Sequence, residues 1–216
     1  MLWFVARITE LNEGGVRGFL HWPDAPTGEG LVLTHGAGSN CAAPLLVEIA
    51  QAACTAGITV LRCDLPFRQR RAYGPPLPAG AETDRAGLHN AAATLRGMVR
   101  GPVFMGGHSY GGRQASMLAA EEYGVAAALL LLSYPLHPPD KPADLRTLHF
   151  PALRTPALFI HGTKDKFATP AELAQAVTAI PGPVRIMLLE GAAHEIGRGR
   201  IDFASTFEQL RKWIEP

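Results

Sequence analysis

Cysteine is scarce in this sequence, charge is thin, and no long apolar run occurs. The three cysteines, Cys41, Cys54 and Cys63, are an odd number without a Cys-x-x-Cys pair. That usage excludes a disulfide framework and a cysteine zinc site, and it fits a reducing compartment. Charged residues make up 18%, with Lys plus Arg at 20 and Asp plus Glu at 19. So even a balance gives no electrostatic case for nucleic acid or an anionic membrane as partner. The longest apolar run, Val125 to Leu132, is far too short to span a bilayer. Residues Met1 to Ile8 lack the charged start and apolar stretch of a signal peptide. A soluble, cytoplasmic protein is the expectation.

Hydrophobic residues, in contrast, fill 47% of the 216 positions, enough for a substantial core. No internal repeat, low-complexity tract or interdomain linker breaks the chain, so one domain over residues 1–216 is expected. Trp3 to Thr9 and Val16 to His21 read as strands. Asn12-Glu13-Gly14-Gly15 between them predicts an antiparallel hairpin. From Leu31 onward, apolar strands alternate with helical patterns. Strands are expected at Leu31–Leu33, Ile58–Arg62, Val103–Met105, Ala126–Leu132, Ala157–Ile160 and Val184–Leu189. Helices are expected at Pro44–Ala56, Thr83–Arg100, Ser109–Tyr123, Pro170–Ile180 and Ile201–Ile214. Such alternation predicts an α/β fold: a mostly parallel, doubly wound sheet of about seven or eight strands. Two proline-rich segments, Asp64–Gly80 and Ser133–Thr155, read as long irregular loops, and the second is too short for a large cap domain.

The chemistry-bearing stretch is Val103 to Gly112, where a short apolar strand runs into Gly107-His108-Ser109-Tyr110-Gly111. A Gly-x-Ser-x-Gly pentapeptide between strand and helix lifts the serine hydroxyl out of the sheet on a tight turn. It also leaves N–H groups free at the helix start. In a parallel sheet, ligands bind beyond the carboxyl ends of the strands. Asp165 follows one later strand and His194 follows the last, in the order Ser, Asp, His. His35-Gly36-Ala37-Gly38 follows the first strand of the parallel series. These positions predict Ser109 as nucleophile, His194 as general base and Asp165 as the carboxylate that orients it. The Tyr110 and Ala37 N–H groups would face an oxyanion, and Gly36 would let the backbone approach the substrate.

Other residues carry plainer readings. Asp64, Asp140 and Asp144 do not follow a strand at the right place in the order. His161 reads as a buried strand-end residue bonded to backbone, His108 as a local packing or bonding group, and Cys41 as a small packing residue. Arg68-Gln69-Arg70-Arg71 reads as a solvated loop, with binding of a substrate carboxylate as the alternative. Tyr73, Tyr134, Leu136 and His137, on the two proline-rich loops, are the candidate pocket wall.

Leu33-Thr34-His35-Gly36-Ala37-Gly38, Gly106 to Arg113, Leu132 to Pro139, Phe159 to Asp165, and Ala193-His194 together resemble the small α/β-hydrolases. The chain is close to dienelactone hydrolases in size. It is more similar to a branch holding uncharacterised bacterial proteins, a small testis-expressed protein and the hydrolase-like domain of a histone-acetyltransferase complex subunit. The Ser-Tyr-Pro-Leu-His-Pro-Pro segment discriminates that branch. The resemblance implies the fold and the three site positions and does not imply a substrate; the site residues themselves predict a small acyl substrate, with no cofactor and no metal. Dienelactone hydrolases use cysteine where this chain has Ser109, which argues against that exact activity. The complex subunit implies a second reading, a non-catalytic binding or scaffold domain. A homodimer is compatible with the sequence, which does not select it.

Overall fold

Alternation within the strands decides which helices cover which face. In β3 (Gly30–Thr34), Leu31 and Leu33 face one side of the sheet and Val32 the other. Strand side chains alternate with a period of two, so each neighbouring strand divides the same way. The Leu31 face packs on Leu46 and Ile49 of α1 (Pro44–Thr55) and on Phe207 and Leu210 of α6 (Phe203–Lys212). The Val32 face packs on Leu88 and Leu95 of α3 (Ala81–Arg96), Leu118 of α4 (Tyr110–Glu121) and Leu173 of α5 (Pro170–Val177). The sheet is thus covered on both sides, and its central strands are buried along their whole length.

The computed structural model describes residues 7–213. Eight strands among these residues form one sheet in the order β1-β2-β4-β3-β5-β6-β7-β8. The other strands are β1 (Arg7–Glu13), β2 (Val16–Trp22), β4 (Thr59–Asp64), β5 (Val103–His108), β6 (Leu129–Leu132), β7 (Ala157–Gly162) and β8 (Val184–Leu189). β1 and β2 form the antiparallel hairpin, β2 joins β4 antiparallel, and β3 to β8 run parallel with β4. The strand order reverses around β3, which has β4 on one side and β5 on the other. The crevice beyond that switch point is where a ligand site belongs.

Several element boundaries differ from expectation. The first strand runs on through Glu13, and the turn is only Gly14-Gly15, both at positive φ. Positions 3–6 of the expected strand lie outside the described residues, as does Ile214 of the last expected helix. The segment after β4 is not wholly irregular: Pro66 opens the short helix α2 (Pro66–Arg70), and Pro78–Gly80 is a 3-10 turn. Proline suits both starts because its missing N–H would be unsatisfied there anyway. The expected helix to Arg100 ends at Arg96, and β6 begins only at Leu129. Ala126 and Ala128 are apolar because they are buried, not because they are extended in the ladder. No cap domain is inserted between β6 and β7. Residues 133–156 hold turns and one 3-10 turn, Phe150–Ala152.

Cys41, Cys54 and Cys63 are free and buried. Burial pushes the Cys41 thiol up to about 12 and the Cys54 thiol up to about 11, and raises Cys63 as well. No helix of the described residues is long and apolar enough to cross a membrane.

Candidate active site

β5 lies beside the switch point and delivers the serine there. Ser109 follows His108 with φ 51 and ψ −116, a conformation outside the helix and strand regions. The glycines flanking it are required by packing. A Cβ on Gly107 would lie 2.7 Å from the Thr34 carbonyl oxygen, and one on Gly111 would lie 2.6 Å from the His35 carbonyl oxygen. Contacts that short force the backbone apart. The pentapeptide spacing therefore lets β5 turn into α4 against the end of β3.

A hydrogen-bonded chain starts at this serine. The Ser109 hydroxyl donates to Nε2 of His194 at 2.8 Å. His194 Nδ1–H donates to Oδ2 of Asp165 at 2.8 Å. The other carboxylate oxygen, Oδ1, accepts the Phe167 N–H at 2.8 Å. The Asp165 side chain is fully buried, while that of His194 is 18% exposed and so reachable from solvent. The Phe167 ring lies against the imidazole, with centroids 4.1 Å apart. His161 approaches Asp165 but directs its Nε2–H to the Ala168 carbonyl at 2.8 Å. His108, directly before the serine, donates Nε2–H to the His194 carbonyl at 2.9 Å. It thereby ties the elbow to the histidine loop, and burial holds its pKa below the usual value.

The loop after β3 supplies the opposite wall. His35 is buried, donates Nδ1–H to the Gly36 carbonyl at 2.8 Å and accepts the Leu65 N–H on Nε2 at 3.2 Å. Desolvation lowers its pKa, so it stays neutral and fixed in this tautomer. Beneath the loop lies Arg68 on α2, only 3% exposed. Its guanidinium donates to the carbonyls of Ser39 at 2.7 Å and Ala37 at 2.8 Å, and on the other side to those of Arg71 and Gly74. One side chain thus clamps the two loops together. Among the described residues, neither the Ala37 nor the Tyr110 backbone N–H has a partner within the protein. Both residues line the same cleft as Ser109, a hollow of about 490 Å³.

The expected residues do not all meet there. Ser109, His194, Asp165, Ala37 and Tyr110 do. The Tyr110 hydroxyl points elsewhere, donating to Oδ2 of Asp84 at 2.8 Å. Gly36 packs under the His108 ring and lines a separate hollow with His35. The expected pocket wall is corrected. Tyr73 is 87% exposed and stands off the cleft. Tyr134 is 1% exposed, its ring packed on Phe150 and Phe159 and its hydroxyl donating to the Arg146 carbonyl. His137 is buried, with Nδ1–H donating to the Pro138 carbonyl. Pro75, Leu77, Pro135 and Phe167 form the wall instead, together with Arg113 and Arg146. The Arg113 position was readable: four residues past Ser109 on a helix is one turn along the same face. Arg68 had a weaker signal, a proline-initiated turn directly after a buried strand. Among the rival acids, Asp64 is taken up by Arg17 at 2.8 Å and by the Cys41 N–H.

A covered parallel sheet, a strained serine at its switch point and a histidine after its last strand define a class, the α/β-hydrolases. The chain belongs to the alpha/beta hydrolase domain family, whose model matches residues 27–214. Solved structures share the fold at low identity. A dienelactone hydrolase from Anabaena variabilis is 22% identical, with 97% of this chain and 95% of that chain covered and a TM-score of 0.69. A serine hydrolase without a lid from Xanthomonas campestris is 17% identical, covering 99% and 97%, with a TM-score of 0.73. An α/β serine hydrolase homologue from Coxiella burnetii is 16% identical over 100% of both chains, with a TM-score of 0.69.

Proposed function

We propose that this protein is a serine hydrolase, carboxylesterase-like, that cleaves small esters, thioesters or amides through an acyl intermediate on Ser109. The observation that carries this reading is the continuous chain from Ser109 through His194 to Asp165, at 2.8 Å for each link. His194 takes the serine proton on Nε2 as Oγ attacks the acyl carbon. The carbonyl electrons move onto oxygen, which faces the Ala37 and Tyr110 N–H groups. Buried Asp165 stabilises the imidazolium without taking a proton. Collapse of the intermediate expels the alcohol, thiol or amine, which takes its proton from His194. A water then gives a proton to His194, attacks the acyl-serine and releases the acid, and the proton returns to Ser109. A site with every member in place is more than a binding scaffold needs. A cytoplasmic setting fits the three unpaired thiols.

Labelling with a fluorophosphonate, followed by digestion, tests the reading. The adduct is expected on Ser109 and is expected to be absent in Ser109→Ala. Folded wild-type protein that takes no label and turns over no short p-nitrophenyl ester would overturn it.

A further inference from the structure

The cleft beside Ser109 carries charge of one sign. Arg113 and Arg146 line it, and no lining residue is acidic. Neither arginine forms an ion pair among the described residues. The nearby acids are committed elsewhere. Asp165 serves His194, Asp84 accepts from Tyr110 and the Phe67 N–H, and Glu121 pairs with Arg85. Asp144 attracts the Arg146 charge but makes no ion pair with it. Arg113 Nε is buried and has no partner.

Arg146 is held in place by its backbone. Its N–H donates to the Leu136 carbonyl at 2.8 Å, and its own carbonyl accepts the hydroxyl of buried Tyr134 at 2.8 Å. The guanidinium makes one long bond, at 3.4 Å, to the Pro135 carbonyl. Burial first, and the Arg113 charge second, pull its pKa down. Two like charges held together and partly out of water are unfavourable until an anion joins them. The planar guanidinium fork matches a carboxylate with two parallel bonds. Arg113 sits one helical turn, about 5.4 Å, beyond Ser109, and its N–H donates to the Ser109 carbonyl at 3.0 Å. An anion gripped there lies a few bonds from the acyl carbon under attack.

We infer that the substrate is an ester bearing a carboxylate, which Arg113 and Arg146 hold while Ser109 attacks the acyl carbon. This rests on the reading of Ser109 as nucleophile. A neutral acyl ester would leave both guanidinium groups in the filled cleft without an ion-pair partner.

Two matched ester pairs test it. In p-nitrophenyl hydrogen adipate against p-nitrophenyl hexanoate the carboxylate is on the acyl side. In p-carboxyphenyl butyrate against phenyl butyrate it is on the leaving group. At least one pair is expected to favour the anionic ester in kcat/KM by on the order of tenfold or more. That ratio is expected to collapse towards one in Arg113→Gln and Arg146→Gln, and to survive in part in Arg113→Lys and Arg146→Lys, which keep a cation without the fork. Calorimetric binding of adipate to Ser109→Ala needs no turnover and is expected to weaken on adding either glutamine substitution. Adipate binding that depends on both arginines, in a protein that hydrolyses nothing, would sink the hydrolase reading and leave the carboxylate site standing. Turnover with no anionic preference in either pair, or a preference indifferent to both substitutions, overturns the inference and leaves the hydrolase standing.

Discussion

Ser109 and Ser133 end adjacent parallel strands, β5 and β6, and both have positive φ, 51° and 47°. Each donates its N–H to a carbonyl on the next strand along, Ser109 to that of Leu132 and Ser133 to that of Ile160. The surroundings then part. The residue before Ser109 is His108, bonded to the histidine loop; the residue before Ser133 is Leu132, buried in the core. Ser109 opens into a cleft and meets the His194 imidazole at 2.8 Å. Ser133 is fully buried, and its hydroxyl has no partner. A strained serine at a strand end is thus a way to turn the chain. It becomes a nucleophile only where a base, an anion hole and access to solvent converge.

The largest effect expected from breaking the pair is on the Ser109 side. Ser109→Ala should lower kcat by on the order of 10⁶ if the three residues act as a unit, whereas Ser133→Ala should leave ester turnover within about twofold. Stopped assays on one p-nitrophenyl ester compare them directly. Next comes the clamp that Ser133 lacks. Arg68→Met frees the Ala37 carbonyl and loosens one wall of the proposed anion hole. A fall in kcat of about 10²-fold, with KM little changed, is the expected split. A rise in KM alone would mean that Arg68 only shapes the cleft.

His108→Leu gives the Ser109 strand end the residue that precedes Ser133. Loss of the bond to the His194 carbonyl should cost about tenfold in kcat. It should also flatten the acid side of the stability profile. Burial keeps the folded pKa of His108 below its ordinary 6.5, so its stabilising contribution is complete above about that pH. It is lost as pH falls from there through the folded value, because the unfolded chain binds the proton first. His21 and His149, both lowered to about 4, act in the same direction. Melting temperatures measured from pH 6.5 down to 4 should fall in the wild type and fall less in His108→Leu. The smallest effect is Ser133→Gly. Relief of the positive φ and removal of a buried, unpartnered hydroxyl should raise stability by about 1 kcal/mol. Chemical denaturation reads this, and a clear loss would show that Ser133 has an unseen partner.

The contrast between the two serines also shows what a sequence can carry. The strand, the glycine spacing around Ser109 and the order Ser109, Asp165, His194 follow from local rules, and the sheet topology brings them together. Ser133 has no such pentapeptide and reads as the start of a loop. Its turn drives Tyr134 inward against Phe150 and Phe159, and it is this that removes Tyr134 from the expected pocket wall. Loop position indicates nearness to the strand ends but not the direction in which a side chain points. The same gap explains Arg68, one of four consecutive polar residues that read as solvated. Its partners are carbonyls, which every residue carries, so no pattern of side chains announces them. Arg146 lines the cleft while its backbone is held by Leu136 and by the hydroxyl of buried Tyr134.

The thiols offer a final consequence. Cys41, Cys54 and Cys63 are all buried, and burial holds all three well above the pH at which thiols ordinarily react. Alkylating agents that need a thiolate therefore meet an inert surface while the fold is closed. The chain carries its own clock for opening: each modified cysteine records a moment when the scaffold came apart, independently of whether Ser109 was turning over substrate.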